Sequence, residues 1–310
     1  MRIIAVQAFR TVRHRGFPKM DFSKSVLWIF VIGIGCASSM NLNCSEARDD
    51  VCELNHIYLS EYTDVSDWEF PDHHDIVFKA GAETIISCIT KEVAEKLTNA
   101  QSIQLQNVSL SSFYLWEHLL SLDASYNYLS ELLVDPGMLY NLKSLNLEHN
   151  RIQNIDFLKG LFKLRDVDVS NNYLDKIDLS VLDSAKDLTT LKLSNNRIRI
   201  ITTTIGDMLH LPRLTTLMLN NNQLYILDAS QWQFSVLQDL FLANNRLSYI
   251  SMCEVQNSFP RLQTIYLDGN NWECSYLNNT VNQMQQSGIK LVNFGSQNCT
   301  AEAVEGVCCS

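Results

Sequence analysis

The 310-residue sequence is poor in proline and in positive charge, and its most apolar run is short. Five prolines beside a hydrophobic content of 46% exclude a disordered or fibrous class, because so many apolar residues can build a core. The chain holds 24 basic and 34 acidic side chains, a net charge of −10, which disfavours binding to nucleic-acid phosphates. The apolar run, Val26–Gly35, falls below the ~17–25 residues that a membrane-spanning helix needs.

Residues 1–38 have the pattern of a secretory signal peptide. Six basic side chains precede the apolar run, and small residues follow it. Cleavage after Ala37, Ser38 or Ser39 fits equally well, and Met20 is an alternative start to Met1. An uncleaved anchor is the other interpretation, which the short run disfavours. The segment holds six basic and one acidic side chain, so the mature chain would keep 18 and 33, a net charge of −15.

Motifs of catalysis and metal binding are also missing. The sequence contains no G-x-S-x-G, no phosphate-binding glycine loop and no H-E-x-x-H. The cluster Asp72–Asp75 has two histidines, but adjacent histidines on an extended chain point to opposite faces and chelate a metal poorly. We therefore predict no catalytic residue, no metal and no cofactor, and expect that the protein is not an enzyme.

What the sequence does contain is a repeat, L-x-x-L-x-L-x-x-N-x-L. Seven copies carry the asparagine, at spacings of 22 to 26 residues: Asn127, Asn150, Asn172, Asn196, Asn222, Asn245 and Asn270. An earlier copy has Val108 in its place. Each copy would form a short strand whose leucines enter a core shared with its neighbours, while the asparagine amide satisfies backbone groups at the turn. The repeat predicts an α/β fold, a leucine-rich-repeat solenoid (horseshoe) with a concave parallel β-sheet.

A solenoid leaves apolar ends that need caps. We predict an N-terminal cap over residues 39–99, about eight repeats over residues 100–270, and a cysteine-bearing C-terminal cap over residues 271–310 around Trp272. Within the first cap, Asp75–Phe78 and residues 84–89 are predicted strands, and residues 91–98 are a predicted short helix.

Cysteine parity constrains the disulfides. If Cys36 leaves with the signal peptide, three cysteines lie near one end and five near the other: Cys44, Cys52, Cys88, Cys253, Cys274, Cys299, Cys308 and Cys309. Some seven strand spacings, roughly 33 Å at ~4.8 Å each, separate the groups, whereas a disulfide spans at most about 7 Å between α-carbons. Both groups are odd, so at least one thiol is left over at each end.

Two fates are open for the leftover thiols. We expect Cys308 or Cys309 to bridge to another chain, while the other closes the C-terminal cap with Cys274, Cys299 or Cys253. The alternative is a free thiol, and Cys88, within an apolar segment, is the candidate for a buried one.

Four sequons agree with export, and we predict glycosylation at each: Asn43, Asn107, Asn278 and Asn298. A glycan on Asn107 would obstruct the first repeat, so binding should favour the C-terminal half.

The residues between the strand leucines would form a column on the concave face: Gln104, Asp123, Asn146, Asp168, Lys192, Met218, Phe241 and Tyr266. The column changes from polar and acidic to apolar. Met218, Phe241 and Tyr266 would form an exposed patch, and such patches usually mark contacts. We predict that this patch, with Lys192 and Asp168, binds a partner. The alternative is that these side chains only cover the sheet or pack against the C-terminal cap.

The residues Asn271–Leu277, followed by Cys299 and the doublet Cys308-Cys309, resemble the end of the mosquito leucine-rich immune proteins, and the likeness covers the whole mature chain. The resemblance implies a secreted haemolymph protein that forms disulfide-linked homo- or heterodimers and binds complement-like thioester proteins. This sequence stops at Ser310 without a coiled coil, so it resembles the coil-less branch. The competing class is an extracellular-matrix or cell-surface adhesion protein with the same solenoid.

Overall fold

The computed structural model describes residues 42–48, 51–81, 84–204, 206–293, 299 and 302–310. The predicted signal peptide and its cleavage sites lie outside these residues. None of the helices in the described ranges combines the length and the apolar composition that crossing a bilayer requires.

One long sheet runs through the described part of the chain and has 12 strands, 11 of which are parallel. The strands are Glu46–Arg48, Val51–Leu54, Asp75–Phe78, Ser102–Gln104, Ser121–Asp123, Ser144–Asn146, Asp166–Asp168, Thr190–Lys192, Thr216–Met218, Asp239–Phe241, Thr264–Tyr266 and Lys290–Leu291. The first strand pairs antiparallel with the second, and every later strand pairs parallel with the strand of the preceding turn. The predicted leucine-rich-repeat fold with a parallel sheet is confirmed.

The core lies directly behind this sheet, because the middle residue of each repeat strand points inward. Leu145, Leu191 and Leu240 are each at most 1% exposed, while the residues on either side of them in their strands are half-buried. This alternation is the two-residue period of a strand that is buried on one face. No repeat could bury its leucine alone, so each repeat is stabilised mainly by its neighbours.

The asparagines form the predicted ladder along the core. Asn196 shows the pattern: its Nδ2 donates to the carbonyl of Val169 in the preceding repeat at 2.9 Å and to that of Leu193 at 3.1 Å, and its Oδ1 accepts from the N–H of Leu174 at 3.0 Å. The amide thus satisfies backbone groups that the turn leaves unpaired and joins two repeats.

The residue before each ladder asparagine adopts a left-handed backbone. Its φ is 55° at Asn195 and 57° at Asn221, for example. Asparagine tolerates this region better than most residues, which explains the repeated Asn-Asn doublets. At Gly269 the same position has φ 67°, and a Cβ would contact the side chain of Asn244 in the preceding repeat, so glycine avoids both the backbone strain and the contact.

Short elements close each turn behind the core. Helices α1 (Lys91–Lys96), α2 (Met252–Ser258) and α3 (Cys274–Gln286) are accompanied by two 3-10 turns, Asp156–Leu158 and Leu179–Leu182. The short parallel strands are Tyr58–Leu59 with Ile85–Ile86, Cys88–Ile89 with Ser112–Tyr114 and Leu132–Leu133, Lys176–Asp178 with Ile200–Thr202, and Leu209–His210 with Trp232–Gln233.

Each end of the long sheet is covered by a segment that departs from the repeat. At the N-terminal end, the antiparallel strand Glu46–Arg48 covers Val51–Leu54, and Asp75–Phe78 is a strand at the positions expected for it. At the C-terminal end, α3 packs against the antiparallel hairpin Glu302–Val304 and Val307–Cys309. Trp272 is 1% exposed beneath this cap, and its Nε1 donates to the carbonyl of Leu267 at 2.8 Å.

Within the described residues three disulfides close inside the chain: Cys44–Cys52, Cys274–Cys309 and Cys299–Cys308. The expected bridge from Cys308 or Cys309 to another chain is therefore wrong. The doublet lies on one strand, so its side chains point to opposite faces and reach two different partners within the cap. The parity argument still holds at each end, because Cys88 is free and buried and Cys253 is free and exposed.

Candidate partner-binding face

The solvent side of the long sheet, called the sheet face, carries the predicted column in strict register. Asp168 pairs with Lys192, Lys192 with Met218, Met218 with Phe241, and Phe241 with Tyr266 across successive strands. All five predicted partner-binding residues are therefore consecutive neighbours. The column also extends further than the sequence indicated, through Val77 and Glu53 beyond Gln104.

The C-terminal part of the sheet face is aromatic. The rings of Phe241 and Tyr266 stack with centroids 4.2 Å apart and planes 10° from parallel, and Met218 lies on the adjacent strand. The sequence had predicted that these three side chains are exposed, but they are half-buried. Neighbouring side chains on the sheet cover part of each one. A flat, rigid surface of this kind can bind an apolar side chain with little loss of conformational entropy.

The central part of the sheet face is polar. Nζ of Lys192 lies 3.3 Å from Oδ2 of Asp168, and exposed Asp166 accepts a hydrogen bond from the hydroxyl of Thr189 at 3.0 Å. A shallow groove of about 270 Å³ crosses three strands here between Ser144, Asn146, Asp166, Asp168, Thr190 and Lys192. The small side chains on these strands leave the carboxylates accessible as hydrogen-bond acceptors for a partner.

The predicted glycosylation sites take different positions. Asn43, Asn107 and Asn278 are exposed, and Asn298 lies outside the described residues. Asn107 lies in the turn after strand Ser102–Gln104, at φ 54°, and its N–H donates to the carbonyl of Ser125 at 3.3 Å. Asn107 thus lies beside the N-terminal end of the sheet face, in a different repeat from the aromatic part.

The histidines set aside at Asp72–Asp75 are separated in the structure. His73 lies 3.9 Å from Sγ of Cys44, and Nδ1 of His74 lies 3.0 Å from the carbonyl of Asn99. The sulfurs of Cys44 and Cys52, the only other possible metal ligands close to His73 in the described residues, are joined in a disulfide. A cysteine coordinates a metal as the thiolate, so the disulfide keeps Cys44 and Cys52 from acting as ligands beside His73.

A second row of exposed side chains was not recognised from the sequence. It follows the ladder asparagines and contains tyrosines and arginines, with the guanidinium of Arg151 4.6 Å from the ring centre of Tyr128. The signal was present, because the residue after each asparagine can be read from the repeat alignment.

Comparison with known proteins gives the class first. A family model described as "Leucine rich repeat" matches residues 162–224, and the fold and the asparagine ladder make the chain a leucine-rich-repeat protein. Such proteins are generally scaffolds for protein interaction rather than enzymes.

The individual proteins that the chain resembles share less than a third of their residues with it. The chain is 27% identical to human oligodendrocyte-myelin glycoprotein over 197 residues, 56% of this chain and 43% of that protein. Its structure resembles the LRIM1/APL1C complex, with a TM-score of 0.57 and 21% identity over 73% of this chain and 44% of the other. It also resembles the leucine-rich-repeat domain of APL1B, with a TM-score of 0.53 and 21% identity over 78% of this chain and 71% of the other.

LRIM1 and APL1B are mosquito leucine-rich immune proteins, so the resemblance noted from the sequence is confirmed at the level of the fold. This chain spans less than half the length of the myelin glycoprotein and of the matched chain in the LRIM1/APL1C complex.

Proposed function

We propose that this chain is a secreted innate-immune protein of the mosquito leucine-rich type that binds other proteins through its sheet face. The signal-peptide pattern, the disulfides and the four sequons support an extracellular location, which for this family is the haemolymph. The partners proposed are complement-like thioester proteins or related immune factors, by the resemblance of the chain to that family.

The observation that carries the proposal is the aromatic end of the sheet face. Met218, Phe241 and Tyr266 lie on three adjacent strands and remain accessible, although the fold needs no side chain of their size there. Asn146 and Gln104 occupy the same position in other repeats, so polar residues serve the fold equally well. Large side chains at a position where small polar ones suffice are best explained by contact with a partner.

The polar centre of the sheet face would add orientation. Asp168 and Lys192 form a half-buried ion pair that can exchange partners when a charged group approaches, and the exposed Asp166 offers a further carboxylate. Charged groups around an apolar contact chiefly set the rate and the specificity of association.

Covalent pairing with another chain, if it forms, is expected at Cys253. Among the described cysteines this thiol is both unpaired and exposed, whereas Cys88 is unpaired but buried. Non-reducing electrophoresis of the secreted protein checks this point. The wild type should show a dimeric band that Cys253→Ser removes, and a monomeric wild type would rule the bridge out.

Affinity capture from haemolymph tests the proposed partner surface. The double variant Phe241→Ala/Tyr266→Ala should be secreted normally and should retain less partner than the wild type, because two anchors of the contact are gone. The variant Gln104→Ala, in the same column but outside the groove of the polar centre, is the control. Equal capture by the wild type and the aromatic variant would refute the surface.

A second function, extracellular-matrix or cell-surface adhesion, is favoured by the sequence match to oligodendrocyte-myelin glycoprotein. The two functions differ in where the protein is found. Recovery of the native protein from body fluid supports the immune function, and recovery from the insoluble matrix or the cell surface supports adhesion.

A further inference from the structure

A row of alternating tyrosine and arginine side chains lies beyond the asparagine turns, apart from the sheet face. This row, called the flank row, consists of the residue after the ladder asparagine in six successive repeats: Tyr128, Arg151, Tyr173, Arg197, Gln223 and Arg246. Five of the six are exposed, and Gln223 is half-buried. The row holds three positive charges and no negative charge, in a chain whose net charge is −10.

The backbone fixes the spacing of the flank row. Each residue donates its N–H to a carbonyl of the preceding repeat: Arg151 to Leu129 at 2.7 Å, Arg197 to Leu174 at 2.8 Å and Arg246 to Leu224 at 2.8 Å. Hydrogen-bonded segments of this kind lie ~4.8 Å apart. The three arginines, which recur at every second repeat, are therefore spaced by roughly 10 Å along a line.

The tyrosines hold two of these arginines in place. The guanidinium of Arg151 lies 4.6 Å from the ring centre of Tyr128, and that of Arg197 lies 4.7 Å from the ring centre of Tyr173. Stacking of this kind leaves the planar fork of N–H donors available at its edge. Each of these two arginines is thus preorganised to bind a sulfate or carboxylate through two hydrogen bonds.

The surroundings of the flank row are polar. An open groove of about 650 Å³ adjoins its centre, lined by Gln153, Tyr173, Asp175, Arg197, Arg199 and Gln223. Arg199 is paired with Asp175 at 2.6 Å, whereas Arg197 lies over the ring of Tyr173. On the other side of the ladder run the amides of Asn171, Asn195, Asn221 and Asn244. Amide, phenol and guanidinium groups suit a ligand that carries both hydroxyl and acidic groups.

We propose that the flank row binds a linear acidic polysaccharide, with sulfate or carboxylate groups on successive disaccharides bound by Arg151, Arg197 and Arg246. Equally spaced charges along a line fit a polymer whose acidic groups recur at a regular interval. The surface of a globular protein has no such regular interval. The acidic character of the rest of the chain does not prevent this contact, because physiological salt screens charges beyond ~8 Å.

Single-stranded nucleic acid is the other repeating polyanion, and the flank row suits it less well. Its binding depends on bases stacking on exposed aromatic rings. Here one face of each of the Tyr128 and Tyr173 rings is occupied by the guanidinium of Arg151 or Arg197, which leaves only the other face for a base.

The test measures binding of a fluorescent heparin octasaccharide to the full secreted chain as salt is raised. The flank variant is Arg151→Gln/Arg197→Gln/Arg246→Gln. The control variant, Arg165→Gln/Arg213→Gln/Arg261→Gln, removes the same charge from exposed arginines outside the row. We expect the flank variant to bind at least about tenfold more weakly. The slope of the logarithm of its binding constant against the logarithm of the salt concentration should also be shallower by roughly one unit per arginine lost. The control should resemble the wild type in both quantities.

Three results would overturn the proposal: no saturable binding of heparin by the wild type at physiological salt, equal losses in both triple variants, or tighter binding of a single-stranded polynucleotide or of polyglutamate than of heparin. If the flank variant fails to fold, Arg246→Gln replaces it. This arginine follows Gln223 rather than a tyrosine, so its loss removes no stacking on the preceding repeat, and it should still weaken heparin binding several-fold.

Discussion

The asparagine ladder and the sheet-face column each take one residue from the same position of every repeat, but the ladder is uniform in residue type and the column is not. The ladder has the same residue in seven repeats, and its amides make the same hydrogen bonds each time, as at Asn150 and Asn245. The column changes from Gln104 and Asp123 to Phe241 and Tyr266. Uniformity therefore identifies the residues that build the solenoid, and variation identifies the residues that are available for recognition.

Removal of one ladder asparagine should have the largest effect on stability. Asn196→Ala leaves the N–H of Leu174 without its acceptor inside the core. The carbonyls of Val169 and Leu193 each lose one hydrogen bond and keep one, from the ladder asparagine of their own or the next repeat. An unsatisfied buried group costs ~1–3 kcal/mol and each lost hydrogen bond ~1 kcal/mol, so we expect a loss of about 3–5 kcal/mol in the free energy of unfolding by urea. Lys192→Ala, on the sheet face of the same repeat, should cost less than about 1 kcal/mol. Equal losses would contradict the division between ladder and column.

Loss of the cap disulfide should come next. The double variant Cys274→Ser/Cys309→Ser removes the bond that joins the start of α3 to the C-terminal hairpin. We expect a loss of roughly 3 kcal/mol, seen as a lower Tm. Cys253→Ser is the control, because its thiol is exposed and unpaired within the chain, and its Tm should equal that of the monomeric wild type. A lower Tm in the control would show that Cys253 is part of the fold rather than a surface thiol.

Truncation on the sheet face should separate stability from binding. Phe241→Ala removes the stack with Tyr266, which contributes ~0.5–1.5 kcal/mol to the folded state. If the residue anchors a partner, its loss should weaken binding by ~2 kcal/mol or more, about thirtyfold. Urea unfolding and titration of the captured partner give the two quantities. A loss of stability without a loss of affinity would place Phe241 with the structural residues.

The smallest effect on stability concerns a carboxylate, that of Asp178, which lies in neither the asparagine ladder nor the sheet-face column. Burial raises the pKa of Asp178, but hydrogen bonds from Ser180 and Thr204 outweigh it and hold the pKa below its ordinary value of 3.8. A lowered folded pKa contributes stability that is present above the ordinary pKa and is lost as the pH falls through the lowered one. The wild type should therefore be slightly more stable than Asp178→Asn at neutral pH, and this difference should vanish in acid. A difference that persists in acid would assign it to packing.

Much of the fold was predictable because the repeat places the same residue types at regular intervals. Leucine spacing determined the strands, and the asparagine amide determined the ladder. The pairing of Cys308 and Cys309 was not predictable, because it depends on a hairpin that brings Cys299 beside one face and α3 beside the other. The partial burial of Met218, Phe241 and Tyr266 was also missed, since it arises between strands that are over 20 residues apart in sequence.

Hydroxyl-radical footprinting of the chain with and without its captured partner tests the central claim most directly. Met, Tyr and Phe side chains report their own accessibility, and the chain carries internal references in Tyr126 and Met138, which are 54% and 42% exposed away from the aromatic part of the sheet face. We expect oxidation of Met218, Phe241 and Tyr266 to fall in the complex while that of the references stays constant. Unchanged oxidation of the three residues, with protection elsewhere, would contradict the assignment of the sheet face as the binding surface.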